Sequence, residues 1–131
     1  MDFNERLTAL INLYSEKRYD EAEQLAKQLT LKYPQNQQVW TILCAVLKNA
    51  GKIEEALVMH NATVEKFPND AVAHFNLGLM LKETLEKKRA KSSYKKAIAL
   101  KPDFVEAHYN LGNIYREADE PEKAEHGLLW P

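Results

Sequence analysis

The sequence has little cysteine and no long apolar run. Its one cysteine, Cys44, excludes an internal disulfide and is typical of a chain kept in a reducing compartment. The longest apolar run, ILCAVL, is far shorter than the ~20 residues of a membrane-spanning helix. The first residues, MDFNERL, lack the apolar core of a secretory signal. We therefore predict a cytoplasmic protein with no membrane segment.

Glycine and proline are also scarce, and neither sign of charge is in large excess. Four glycines and five prolines among 131 residues leave most of the chain able to form regular structure. Alanine, leucine, glutamate and lysine are abundant and favour helix, whereas β-branched runs are few. The net charge of −1 does not favour nucleic acid as a partner. The composition predicts an all-helical protein.

The strongest positive signal is a repeat of 34 residues. The segment AHFNLG at 73–78 returns as AHYNLG at 107–112, and the prolines Pro34, Pro68 and Pro102 follow the same interval. Self-similarity at a fixed period is typical of stacked repeats, in which each unit covers the apolar face of its neighbour. One alanine register shows the period best: Ala22, Ala56, Ala90 and Ala124.

Within one period the apolar spacing is helical. The stripe His74, Leu77, Gly78 and Leu81 follows i, i+3, i+4 and i+7, and a second helical pattern comes after a short turn. Each unit is thus predicted to be two antiparallel helices, with small residues where their backbones approach closely. Gly51 offers an easy helix exit. Helix caps are predicted at Asp2, Asn36, either Asn69 or Asp70, and Asp103.

These residues resemble the tetratricopeptide repeat. NLGNIY at 110–115 matches the Leu-Gly pair and the following aromatic residue of its signature. The second half of the signature is matched in the preceding unit by Ala90, Tyr94, Ala97 and Pro102, and Trp40 stands at the favoured early aromatic position. The resemblance implies an all-α fold, a right-handed α-solenoid of about three and a half helix-turn-helix units. The predicted repeats are 3–36 (degenerate, with Leu10 in a small-residue register), 37–70, 71–104, and a partial fourth at 105–131 with an atypical tail.

Residue patterns that carry chemistry are missing from the sequence. It has no glycine-rich phosphate loop, HExxH motif, paired cysteines or nucleophile elbow. His74 and His108 fall on helices about 10 Å apart, whereas zinc ligands need bonds near ~2 Å, so core packing is the favoured interpretation. Cys44 falls in the small-residue register and is predicted to be a buried, unreactive thiol. We predict no enzyme activity, no cofactor and no metal.

One face of the first helices carries apolar and amide side chains where charge is expected. In the third unit this face lies about 140° around the helix from the core stripe. In the tetratricopeptide repeat family this side lines a concave groove, so the resemblance implies a peptide-binding site. Packing against neighbouring repeats is the alternative. The predicted groove residues are Thr41, Ile42, Phe75, Asn76, Leu79, Lys82, Tyr109, Asn110, Asn113 and Arg116.

The amides of this face resemble a known arrangement within the family. Asn76 and Asn110 are similar to two rungs of the asparagine ladder in the O-linked N-acetylglucosamine transferases, although Thr8 and Ile42 interrupt the ladder upstream. The family's clamp for a terminal carboxylate needs cations that this register lacks. The ladder type is therefore the closer resemblance.

The sequence favours a protein-interaction module that presents a groove to a peptide or partner protein. One alternative is a non-catalytic N-terminal segment of a larger enzyme such as a glycosyltransferase. Another is a homo-oligomeric scaffold that self-associates through Leu128, Leu129 and Trp130, which would be a liability if exposed in a monomer.

The basic stretch 82–101, with eight basic and two acidic residues, is interpreted as a solvated face. Docking of a neighbouring chain's acidic tail is a variant, and RNA binding is the least favoured.

Overall fold

The computed structural model describes residues 1–117, and this part of the chain is built from α-helices without strands. The helices that open each repeat begin at residues 3, 37, 71 and 105, and the helices that follow them begin at 19, 53 and 87. Both series keep the 34-residue period, which confirms the predicted fold class. The helices are α1 (Phe3–Ser15), α2 (Tyr19–Lys32), α3 (Gln37–Asn49), α4 (Ile53–Lys66), α5 (Ala71–Glu83), α6 (Lys87–Leu100) and α7 (Val105–Glu117).

The chain divides into two compact units, Met1–Thr63 and Val64–Pro131. The first holds α1, α2, α3 and most of α4, and the second holds α5, α6 and α7. The predicted self-association residues Leu128, Leu129 and Trp130 lie outside the described residues, as does Ala124.

Three of the first helices begin at the predicted caps. A side-chain oxygen of Asp2 accepts a hydrogen bond from the Glu5 backbone N–H at 2.8 Å, and Asn36 accepts one from Val39 at 3.1 Å. In the third repeat Asp70, rather than Asn69, caps α5 through the Val72 N–H at 3.0 Å. Each cap satisfies an N–H group that has no partner within its helix.

The predicted alanine register lies in the core. Ala22, Ala56 and Ala90 are all 0% exposed. Two further registers with the same period are buried and were missed by the sequence analysis, because stacked helices need more than one apolar side. They are Val39, Ala73 and Ala107, and Val46, Met80 and Ile114.

The small-residue register has a specific reason in the second unit. A Cβ atom on Gly78 would lie 2.6 Å from a ring carbon of Tyr94, closer than packed carbon atoms tolerate. In the first repeat the same two registers hold Leu10 and Ala26, both 0% exposed. The first repeat thus has its large side chain on the first helix and its small one on the second, the reverse of the third repeat. This exchange explains how the degenerate first repeat accepts a leucine in this register.

A left-handed residue lies in the turns that follow α1, α3 and α5. Lys17, Gly51 and Leu85 have φ angles of 61°, 81° and 63°, and they occupy one register of the repeat. Glycine adopts this conformation without strain, as predicted for Gly51, whereas a leucine there brings its Cβ too close to the following carbonyl oxygen. Leu85 is also 80% exposed, so its side chain gains little from burial.

Replacing Leu85 with glycine is expected to stabilise the protein. Removing the Cβ strain should raise the free energy of unfolding by about 1 kcal/mol, and hence the melting temperature by roughly 3–5 °C. Thermal unfolding followed by circular dichroism measures the change. Leu85→Ala is the matched control, since it shortens the side chain but keeps the Cβ and should leave the melting temperature nearly unchanged. Equal melting temperatures for Leu85→Gly and Leu85→Ala would contradict the strain argument.

Candidate functional site

The groove residues are divided between the two units. Thr41 and Ile42 lie on α3 in the first unit, and the other eight lie on α5 and α7 in the second. Contacts at both ends place α7 beside α5. The ring of Phe75 on α5 lies 4.9 Å from that of Phe104, the residue before α7, and Lys82 Nζ is 3.9 Å from Glu117 Oε1 near the ends of the two helices. The two helices therefore run side by side in the same direction.

Large apolar side chains are exposed on this pair of helices. Tyr109 is 56% exposed and Val72 is 47% exposed. A helix that buries a single stripe normally carries charge on its solvent side. The remaining amide and aliphatic groove residues of the pair are half-buried: Asn76, Leu79, Asn110 and Asn113.

Phe75 packs within the second unit. Its ring lies 5.8 Å from Tyr94 and 4.9 Å from Phe104, and it rests against the small core cluster that includes Ala107. Phe104 occupies the register in which Asn36 and Asp70 cap their helices. The packing alternative therefore applies to Phe75, whereas Tyr109, its register equivalent, remains exposed.

Four of the polar groove residues make hydrogen bonds within their own helices. Asn110 Nδ2 donates to the Glu106 carbonyl at 2.7 Å, and Arg116 Nη1 donates to Asn113 Oδ1 at 3.3 Å. In the first unit the Thr41 hydroxyl donates to the Gln37 carbonyl at 3.1 Å. A ligand that takes the amide nitrogen of Asn110 must therefore replace an existing bond.

Polar bridges between successive first helices were missed by the sequence analysis. In the first unit Asn49 Nδ2 donates to the Tyr14 hydroxyl at 2.9 Å, and in the second Lys82 approaches Glu117. The two partners are 35 residues apart in both cases. Complementary residues at this offset are the signal that could have revealed them. Lys82, a predicted ligand contact, thus has a carboxylate partner, and its side chain is 30% exposed.

A ring N–H at one register of the first helices bonds to the carbonyl of the preceding repeat's proline. Trp40 Nε1 donates to Pro34 at 3.0 Å, His74 Nε2 to Pro68 at 2.9 Å, and His108 Nε2 to Pro102 at 2.8 Å. A carbonyl oxygen only accepts, so the histidine Nε2 atoms carry protons. Both imidazoles thus have a structural role. Within residues 1–117, no group of three metal-ligating side chains comes together.

The single cysteine is buried as predicted. Cys44 is 1% exposed, and its Sγ lies 3.7 Å from the Thr63 hydroxyl. Burial raises the pKa of the thiol to about 11, so it stays protonated at neutral pH. A protonated, buried thiol is a poor nucleophile.

An open pocket of about 560 Å³ lies in the first unit, at the start of α1 and the turn before α3. Phe3 and Tyr33 form one side, with their rings 4.6 Å apart in an edge-to-face arrangement. The described residues that line it are uncharged: Phe3, Tyr33, Pro34, Gln35 and Asn36. The sequence analysis did not single out this site.

Family comparisons agree with the repeat found in the sequence. A family model described as tetratricopeptide repeat matches residues 13–78, about half of the chain, and a second, described as TPR repeat, matches residues 89–118. The chain belongs to the tetratricopeptide repeat family. Members of repeat families of this kind use extended surfaces to bind other proteins, which supports a protein-interaction scaffold.

Solved structures share the fold of this tetratricopeptide repeat chain. A crystal structure of MamA is 24% identical, with a TM-score of 0.80 over 97% of this chain and 71% of that one. MamA from Desulfovibrio magneticus RS-1 is 23% identical, with a TM-score of 0.80 over 96% and 71% of the two chains. A tetratricopeptide repeat protein from Parabacteroides merdae is 21% identical, with a TM-score of 0.86 over 95% and 50%. These likenesses concern the fold.

None of the curated proteins matches this repeat chain. Among the helices of residues 1–117, none combines the length and apolarity needed to cross a membrane.

Proposed function

We propose that this tetratricopeptide repeat chain is a protein-interaction module that binds a peptide or partner protein along the groove residues of α5 and α7. The observation that carries the proposal is the exposure of Tyr109 and Val72 on two adjacent helices, beside the half-buried amides of Asn76 and Asn110. Charge would be expected on this face if it only met water.

The side chains of this face suit an extended peptide. Tyr109 offers a large, rigid contact area whose burial is the usual source of affinity at a hot spot. The Asn76 and Asn110 amides can pair with backbone groups of a peptide whatever its sequence. Phe75 packs on Phe104 and so connects this face to the core. The mechanism is binding by a preformed surface, without a chemical step.

Removing the exposed tyrosine and the two amides tests this proposal. Peptides would first be selected on the wild-type chain from a random phage-displayed library and then measured by fluorescence polarisation. We expect the triple variant Asn76→Ala, Asn110→Ala, Tyr109→Ala to weaken the selected peptides at least tenfold. Its melting temperature should change little, because Tyr109 is mostly exposed and the two asparagines are outside the buried core.

A matched variant keeps the test specific. Gln24 and Gln28 are exposed amides on the second helix α2. Changing both to alanine should alter the affinity less than twofold. If the triple variant binds the peptides as well as the wild type does, the binding site lies elsewhere and the proposal is wrong. If the triple variant unfolds at much lower temperature, these side chains are structural instead.

A further inference from the structure

The helix α6 differs in charge from the other second helices. It carries six basic residues and no acidic one over Lys87–Leu100. The corresponding helices α2 and α4 each contain three acidic residues, with two and one basic residues respectively. The other second helices of this chain are therefore not basic, and α6 needs its own explanation.

The arrangement of charges on α6 lowers the stability of the helix. Lys87, Lys88 and Arg89 occupy its first turn, where the helix dipole favours anions, and the turn contains no acid. The turns that begin α2 and α4 each carry two acids. Lysines four apart along α6, Lys91 and Lys95, also repel each other. Departures from the local rules of helix stability are expected where a surface has a function.

Four of the six cations of α6 form no ion pair with an acid in the described part of the chain. Lys87 pairs with Glu117 at 3.1 Å and Arg89 with Glu86 at 3.0 Å. Lys91 and Lys95 instead lie over the ring of Tyr115, 5.4 and 5.9 Å from its centroid. Four lysines form no ion pair with any acid among residues 1–117, and we call them the basic face: Lys88, Lys91, Lys95 and Lys96.

An exposed leucine stands at one end of the basic face. Leu85 is 80% exposed in the turn before α6, three residues from Lys88. Its left-handed backbone, φ 63°, adds a further local cost. A binding role explains why a strained apolar residue is kept in solvent beside lysines that pair with no acid in residues 1–117.

We propose that the basic face and Leu85 dock an acidic polypeptide segment with an apolar residue at one end. The face spans nine residues from Lys88 to Lys96, about 12 Å along the helix. In an extended peptide every second side chain points the same way, about 6.6 Å apart, so three alternating carboxylates cover the same length. The apolar residue of the peptide would then reach Leu85. This surface is separate from the groove residues, and its function does not depend on them.

Other polyanions fit the surface less well. Single-stranded RNA is held by exposed aromatic rings that stack on bases, whereas Tyr94, the aromatic residue of α6, is 0% exposed. An interfacial helix inserts its apolar side into lipid, but the apolar side of α6 is in the core, where Ala90 and Ala97 are 0% exposed. Only Leu85 would be left to enter a membrane.

The test uses a defined probe. A fluorescein-labelled peptide would carry leucine first and then glutamate at every second position, with serine between. We expect binding that weakens as salt rises, since exposed charges are screened. The variant Lys88→Ser, Lys91→Ser, Lys95→Ser should bind at least tenfold more weakly. The control Lys17→Ser, Lys32→Ser, Lys66→Ser changes the net charge equally at three exposed lysines elsewhere and should lose less than twofold.

A second arm tests the leucine. With serine in place of the first residue of the probe, wild-type affinity should fall about threefold. In a Leu85→Asn variant, whose asparagine tolerates the left-handed backbone, the two probes should bind equally. Equal losses in both lysine triple variants would show non-specific attraction and overturn the proposal. So would tighter binding to vesicles of phosphatidylcholine with phosphatidylserine, or to a uridine oligonucleotide, than to the peptide.

Discussion

Replacing Gly78 with alanine is expected to lower the free energy of unfolding by about 1–2 kcal/mol. The new Cβ would lie 2.6 and 2.8 Å from two ring carbons of Tyr94, which is 0% exposed and has little room to move. Overpacking a core typically costs about 1–3 kcal/mol. Alanine returns about 1 kcal/mol through its better helix propensity, so the steric cost must exceed that gain. Urea unfolding measures the difference.

A double-mutant cycle identifies the cause. In a Tyr94→Leu background the ring carbons are gone, and Gly78→Ala should become neutral or stabilising. Gly51→Ala provides a contrast, because nothing lies within 4 Å of its added Cβ and the cost, about 1 kcal/mol, comes from the backbone φ of 81°. An unchanged cost of Gly78→Ala without the Tyr94 ring would show that the close approach is not the reason for the glycine.

Replacing Glu23 with glutamine should lower the free energy of unfolding by about 1–2 kcal/mol at neutral pH. Glu23 is only 7% exposed, and its two oxygens accept hydrogen bonds from Lys27 Nζ and Lys52 Nζ, both at 2.7 Å. The bond to Lys52 ties α2 to the turn before α4. Both lysine side chains are about half exposed and can turn toward water, which limits the loss. Glu21→Gln, an exposed acid on the same helix, is the control and should cost less.

The cost of Glu23→Gln should depend on pH. The hydrogen bonds from Lys27 and Lys52 lower the pKa of the Glu23 carboxyl below its unfolded value of 4.5. The unfolded state therefore takes up a proton first as the pH falls. The stabilisation is complete above pH 4.5 and is lost as the pH falls through the lowered folded value. Urea unfolding of both proteins at several pH values measures this difference. A gap that stays constant below pH 4.5 would contradict the assignment.

The repeat architecture could be predicted because its signals are local. A period of 34 residues, helical apolar spacing and capping side chains such as Asn36 depend on neighbours a few residues away. The burial of Cys44 followed from its register in the repeat. The same local logic missed Val46 and Met80, since one stripe cannot show that a helix is packed on two sides.

The candidate site was predicted less completely. Phe75 and Tyr109 share a register and therefore received the same prediction, yet one packs on Phe104 and the other is mostly exposed. The difference arises because Phe104 replaces the polar cap found at Asn36 and Asp70 and so offers Phe75 a ring. A prediction made for a whole register does not account for one repeat in which a neighbouring residue differs.

The sequence by itself determined the two-helix unit, its 34-residue length, the small-residue registers and the absence of motifs for known chemistry. Only the tertiary structure decided which members of a register are exposed, that Lys82 meets Glu117, and that Leu85 has a strained backbone beside the basic face of α6. Helix formation follows from residues close in the chain. Exposure and pairing depend on helices 34 residues apart, whose separation is set by the sizes of the side chains between them.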